Sequence, residues 1–179
     1  MELKGSKTEK NLLAAFAGES QARVKYEYFS SKAKKDGYEQ IAGVFEETSR
    51  NEKEHAKLWF KALNNGDVPS TEENLKAAAD GEHYEYTQMY REFADTALEE
   101  GFEEIARLFE GVLKIEETHE NRYLTLLNNI NTNKVFNKDE EVIWVCRNCG
   151  HIYKSREALK VCPVCKHPES YMEIRCTNY

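Results

Sequence analysis

From Leu12 to Leu126 the apolar residues recur at steps of three and four, the period of helices that bury one face. The clearest stripe runs Ile41, Phe45, Thr48, Glu52, His55, Trp59, Ala62, and a second one, Ile105, Phe109, Val112, Glu116, His119, Tyr123, Leu126, repeats it. Two further stretches carry Leu12, Phe16, Glu19, Tyr26 and Ala33, and Glu82, Glu85, Met89 and Phe93. The pattern predicts four helices. Gly37 and Gly101 each divide a pair of them, and aligning these glycines exposes an internal repeat at an offset of 64: GYEQIAGVFE matches GFEEIARLFE, and both continue to a Glu-x-x-His. Two copies of a helical hairpin are therefore expected. Between the copies, Asn64-Asn-Gly-Asp-Val-Pro69 stops one helix, and Ser70-Thr-Glu-Glu73 reads as a capping box that starts the next.

Beyond residue 135 the helical period ends. Cys146, Cys149, Cys162, Cys165 and Cys176 are the five cysteines of the chain, and all lie in its last 34 residues. The spacing C-x2-C-x12-C-x2-C sets two thiolate pairs on two tight turns, the arrangement of a tetrahedral site for zinc or iron. Cys176 stands outside that pattern and reads as a packed or free thiol. The expected organisation is a helical module over 1–134, a linker over 135–140 and a small metal-binding domain over 141–179.

The helical stripes are informative because polar groups interrupt them. Glu19, Glu52, Glu82, Glu85 and Glu116, with His55 and His119, are aimed inward by register. Burying such charges unpaired costs several kcal/mol each as a rough general figure, and two cations would neutralise most of them. One Glu-x-x-His means little in so acidic a chain; two in the same register of a repeat, each on an apolar stripe, match the inward pattern of carboxylate-bridged di-iron bundles. The repeat offset places His83 opposite Glu19, so His83 competes with Glu82 for an inward position, and His83 is read as lying beside the site or on the surface. Tyr26 and Tyr90, which also match across the repeat, either hydrogen-bond the ligands or simply pack in the core.

Composition narrows the classes of function. The formal net charge is −7, and residues 136–179 hold seven of the 25 basic and six of the 32 acidic residues, leaving 18 against 26 in the helical part. An acidic chain of this kind is not expected to bind nucleic acid. No apolar run approaches the length of a membrane span, and the first residues, MELKGSK, lack the apolar stretch of a secretory signal, so a cytoplasmic protein with no membrane partner is expected.

The segments Glu19-Ser-Gln-Ala-Arg, Glu52-Lys-Glu-His55, Gly81-Glu82-His-Tyr-Glu85-Tyr, Glu116-Glu-Thr-His119, Cys146-Arg-Asn-Cys149-Gly and Cys162-Pro-Val-Cys165 together make the sequence resemble the rubrerythrin family over essentially its whole length. The resemblance implies a mainly α fold, a ferritin-like four-helix bundle plus a small rubredoxin-like β domain. It implies two iron ions on Glu19, Glu52, His55, Glu82, Glu85, Glu116 and His119, with Glu52 and Glu116 as bridges, and one iron ion on Cys146, Cys149, Cys162 and Cys165. It also implies that one iron exchanges Glu85 for His55 on reduction, and it favours Glu82 over His83. The activity implied is reduction of hydrogen peroxide in oxidative stress defence. Electrons would come from a rubredoxin or an NAD(P)H-dependent reductase and pass through the cysteine-bound iron, from one chain to the di-iron site of its partner.

Two departures from the family pattern stand out. Lys166 ends the second cysteine turn where a small residue is usual, whereas Gly150 ends the first. The stretch between the hairpins is also short: in a ferritin-like bundle about ten residues would return along roughly 30 Å, near the reach of an extended chain. That suggests a homodimer of swapped form, with one hairpin from each chain in each bundle. The rival readings are a ferritin-like iron oxidase, which leaves the attached electron carrier without a use, and a zinc-ribbon interaction module, which leaves the inward carboxylates unexplained.

Overall fold

The computed structural model describes residues 2–178, and its contacts divide the chain into two units, residues 1–69 and 70–179. The first unit is a hairpin of α1 (Lys7–Lys35) and α2 (Glu39–Leu63). Ser6 caps α1, its hydroxyl accepting the Glu9 N–H at 3.0 Å. The chain then reverses at Gly37, whose φ of +84° a glycine adopts without strain. Small residues line the contact between the helices: Ser30, Ala33, Ala42, Ser49 and Ala56 are the buried positions of this hairpin. The Ser49 hydroxyl donates to the Arg23 carbonyl at 3.1 Å, and the rings of Tyr26, Phe29 and Phe45 close a triangle with centroids 5.5–6.1 Å apart.

The second unit begins with the same construction. The expected capping box forms at Ser70 and Glu73 and starts α3 (Thr71–Tyr84). A single π-helical turn, Glu85–Met89, leads into α4 (Tyr90–Glu99), and after Gly101 the chain returns as α5 (Glu103–Asn131). Ala79, Ala94, Ala97 and Ala106 are the buried residues here, and Tyr90, Phe93 and Phe109 form a second triangle at 5.6–6.3 Å. Each ring lies 64 positions after its counterpart, so the repeat in sequence is a repeat in packing. Both hairpins leave large apolar residues half exposed: Phe29, Ile41 and Leu58 in one, Phe93, Ile105 and Leu108 in the other.

The chain ends in a three-stranded antiparallel sheet of order β2-β1-β3, from β1 (Asn137–Cys146), β2 (Ile152–Glu157) and β3 (Met172–Ile174). Residues 137–140, expected in a linker, are already part of β1: Asn137 pairs with Glu157, and an irregularity before Val142 absorbs the slack. Trp144, Cys146, Ala158, Cys162 and Met172 form this region's core. The Trp144 indole is satisfied by the Ser155 carbonyl at 3.0 Å. Among the described residues no helix is long and apolar enough to cross a membrane.

Candidate metal centres

The two cysteine turns are built alike. In the first, the Cys146 N–H donates to the His151 carbonyl at 2.9 Å, and the Gly150 N–H returns to the Cys146 carbonyl at 2.8 Å. In the second, the Cys162 N–H meets the His167 carbonyl at 2.9 Å, and the Lys166 N–H meets the Cys162 carbonyl at 3.0 Å. The residue ending each turn is left-handed, at φ +75° for Gly150 and +65° for Lys166. Lys166 therefore carries a strain of roughly 1 kcal/mol that a glycine would avoid. The turns bring Cys146 Sγ to 3.7 Å from Cys165 Sγ and Cys149 Sγ to 3.6 Å from Cys162 Sγ. A regular tetrahedron with metal–sulfur bonds of about 2.3 Å has edges of about 3.8 Å; these two edges match it, and all four sulfurs lie within 4.8 Å of one another, close enough to share one metal ion.

Without a cation these thiols divide their charge unequally. The His167 N–H is the chief reason the Cys165 thiol falls to about 5, against burial and with help from Cys149, Cys162 and Asn148. At Cys149 the His151 N–H favours the thiolate, but desolvation and the three neighbouring thiols together push it up to about 12. Four sulfurs this close ionise together only around a positive charge. Cys176 lies apart, exposed, with its thiol against Asn178.

In each hairpin three donors converge. Glu19, Glu52 and His55 form one cluster and Glu82, Glu116 and His119 another, the donor atoms in each lying within 4.8 Å of one another. The two match closely. His55 Nδ1 lies 2.8 Å from Glu52 and 3.9 Å from Glu19; His119 Nδ1 lies 2.6 Å from Glu116 and 3.9 Å from Glu82. The middle carboxylates are equally sheltered, 14% exposed at Glu52 and 13% at Glu116. Burial and the nearby Glu116 raise the Glu82 carboxyl above its ordinary range, and Glu85 adds to the effect. A carboxyl that resists ionising beside a second carboxylate, with an imidazole next to both, suits a hard or borderline cation.

Glu85 stands near this second cluster but is not one of its three convergent donors. The Tyr90 phenol is raised by burial and by the nearby charges of Glu85, Glu116 and Glu82. Tyr26, its counterpart, is seen only in ring contacts with Phe29 and Phe45. His83 turns away from the cluster: its Nδ1 is 2.9 Å from Glu120, with the Tyr86 hydroxyl 3.4 Å away. Sequence reasoning passed over Glu120, Tyr86 and the π turn. The available signal was a slip in the repeat: Tyr26 and Tyr90 are 64 apart, but Glu19 and Glu82 are 63 apart.

The family model for rubrerythrin matches residues 10–127, and the model for the rubrerythrin rubredoxin-like domain matches residues 144–173. The chain belongs to the rubrerythrin family. It is 54% identical to a rubrerythrin of Porphyromonas gingivalis, over 99% of this chain and 94% of that one. It is 48% identical to a rubrerythrin of Nitratidesulfovibrio vulgaris, over 99% and 98%. A solved structure described as a mixed-valence state of nigerythrin matches over 97% of this chain and 91% of that one at 34% identity, with a TM-score of 0.36. Family membership and the elements described above make the fold mainly α and ferritin-like, with a small rubredoxin-like β domain at the C-terminal end, and the three donor clusters fall in the segments that the two family models cover.

Proposed function

We propose that the chain is a cytoplasmic non-haem di-iron peroxidase that reduces hydrogen peroxide to water in oxidative stress defence. The observation that carries the reading is the pair of matching Glu/Glu/His clusters joined in one chain to a four-cysteine site of tetrahedral spacing. Glu19, Glu52, His55, Glu82, Glu85, Glu116 and His119 would hold two iron ions, and Cys146, Cys149, Cys162 and Cys165 a third. When bound, the iron pair supplies two electrons, so that with two protons one peroxide becomes two water molecules. The protein's part is to hold the donors. Four thiolates in hydrogen-bonded turns suit a one-electron carrier, because their positions need barely change between oxidation states. Electrons would enter there from a rubredoxin or an NAD(P)H-dependent reductase.

The partner we propose is a second copy of the chain. The half-exposed apolar faces of both hairpins support association, since single-chain helical bundles normally bury their large aliphatic side chains. In the swapped form each four-helix bundle takes one hairpin from each chain; a monodisperse monomer with all iron sites filled would count against it. The activity is tested with the Cys146→Ser variant, assayed anaerobically with NADH, a rubredoxin reductase and peroxide. Turnover should vanish while the bundle iron remains; normal turnover would show that the cysteine site is not the relay.

A further inference from the structure

The two hairpins differ in one place. From the caps Ser6 and Ser70 to the ends Asp36 and Glu100 they span the same number of residues, yet α1 is α-helical throughout, whereas its counterpart contains the π turn Glu85–Met89. Downstream of that turn the partners are 64 apart: Tyr26 and Tyr90, Phe29 and Phe93, and the buried Ala33 and Ala97. Upstream, Glu19 and Glu82 are 63 apart, yet each lies 3.9 Å from its histidine. Had the helix run straight back from Tyr90, His83 would occupy the position of Glu19. The π turn takes up one residue, and Glu82 arrives there instead.

A π turn disturbs the hydrogen-bond ladder. The Tyr90 N–H goes to the Glu85 carbonyl, five residues back, so the Tyr86 carbonyl loses the amide that a regular helix would give it. The Arg91 side chain fills the gap, donating from Nε to the Tyr86 carbonyl at 3.1 Å. We propose that the Glu85–Met89 turn is a register corrector that delivers Glu82 rather than His83 to the metal cluster, and that Arg91 is the positioning residue that holds it. The inference rests on the reading of Glu82 as an iron donor.

Deletion tests it directly. Removing the exposed Gln88 should straighten the helix into a copy of α1 with Glu82 still in place, and bundle iron should stay at the wild-type amount. Removing the exposed Lys25 from the straight α1 has no slack to draw on: Gly18 would replace Glu19, and bundle iron should fall. The visible absorption of the cysteine-bound iron reports in each case that the chain has folded. In the Gln88 deletion the Arg91 N–H stands four residues beyond Tyr86 and regains its carbonyl. Arg91→Ala should therefore lower the folding equilibrium constant about fivefold in the full chain and leave the deletion variant unchanged. A Gln88 deletion that fails to fold, or that loses iron as deeply as the Lys25 deletion, would overturn the proposal. So would an equal effect of Arg91→Ala in both backgrounds. A crystal structure of the metal-free Gln88 deletion separates this inference from the iron assignment: Glu82 near His119 supports the register, and His83 in its place refutes it, whatever metal binds.

Discussion

The two hairpins share a length, an aromatic triangle and a three-donor cluster, yet one is regular and the other interrupted. The shared features are those the proposed half-site would use: a Glu-x-x-His on one helix, a facing Glu on the other, and small residues that let the helices approach. The interruption begins at a carboxylate that has no twin, for Ala22 stands in α1 where Glu85 opens the π turn. Duplication accounts for a symmetric pair of donors; the extra carboxylate of the second hairpin makes the two halves chemically unequal.

The equivalence of the clusters is most exposed to Glu52→Ala and Glu116→Ala. Each removes the most sheltered donor of one hairpin, and each should lower bundle iron and cut peroxide turnover by at least about 100-fold. If only one of the pair did so, measured by iron content and initial rate, the halves would not be equivalent. Packing offers the next test. Ala42 and Ala106, 0% and 1% exposed, sit at matching helix contacts, so Ala42→Leu and Ala106→Leu should each destabilise by about 1–3 kcal/mol. Unequal midpoints in urea would place the tighter contact in one hairpin.

The smallest effect distinguishes the hairpins. Glu46 of α2 holds Lys34 of α1 in an ion pair, and Leu98 replaces that lysine in the second hairpin. The Lys34 contact, with the Ser30 hydroxyl, lowers the Glu46 carboxyl below its ordinary 4.5. Its contribution is therefore present above about pH 4.5 and lost as the pH falls through the lowered value. Hydrogen exchange of the metal-free protein at pH 3.5 and 6 should show a slight acid loosening of the first hairpin that Lys34→Ala abolishes. Loosening of equal size in that variant would remove the pair from the account.

Much of this architecture was legible in the chain. Stripes at steps of three and four located the helices, because a helix that buries one face must repeat its apolar residues at that period. Cys146, Cys149, Cys162 and Cys165 announced their site, since the spacing itself makes the turns. Glu82 was harder. Periodicity assumes a regular helix, and a π turn advances the phase by a residue without changing composition, so register alone pointed to His83. The start of β1 at Asn137 was also missed, because Asn137-Lys-Asp-Glu-Glu141 is too polar to read as a strand and is held by pairing to β2.

The central claim is that the di-iron and cysteine-bound iron centres that this chain builds are connected for peroxide reduction. It is tested most directly by reducing the iron-loaded protein anaerobically, mixing it rapidly with hydrogen peroxide or with oxygen, and following the return of the visible absorption of the cysteine-bound iron. Fast return with peroxide and slow return with oxygen is the result expected. Fast return with oxygen alone would make the protein an iron oxidase, and no such absorption at all would put zinc in the cysteine site and contradict the account.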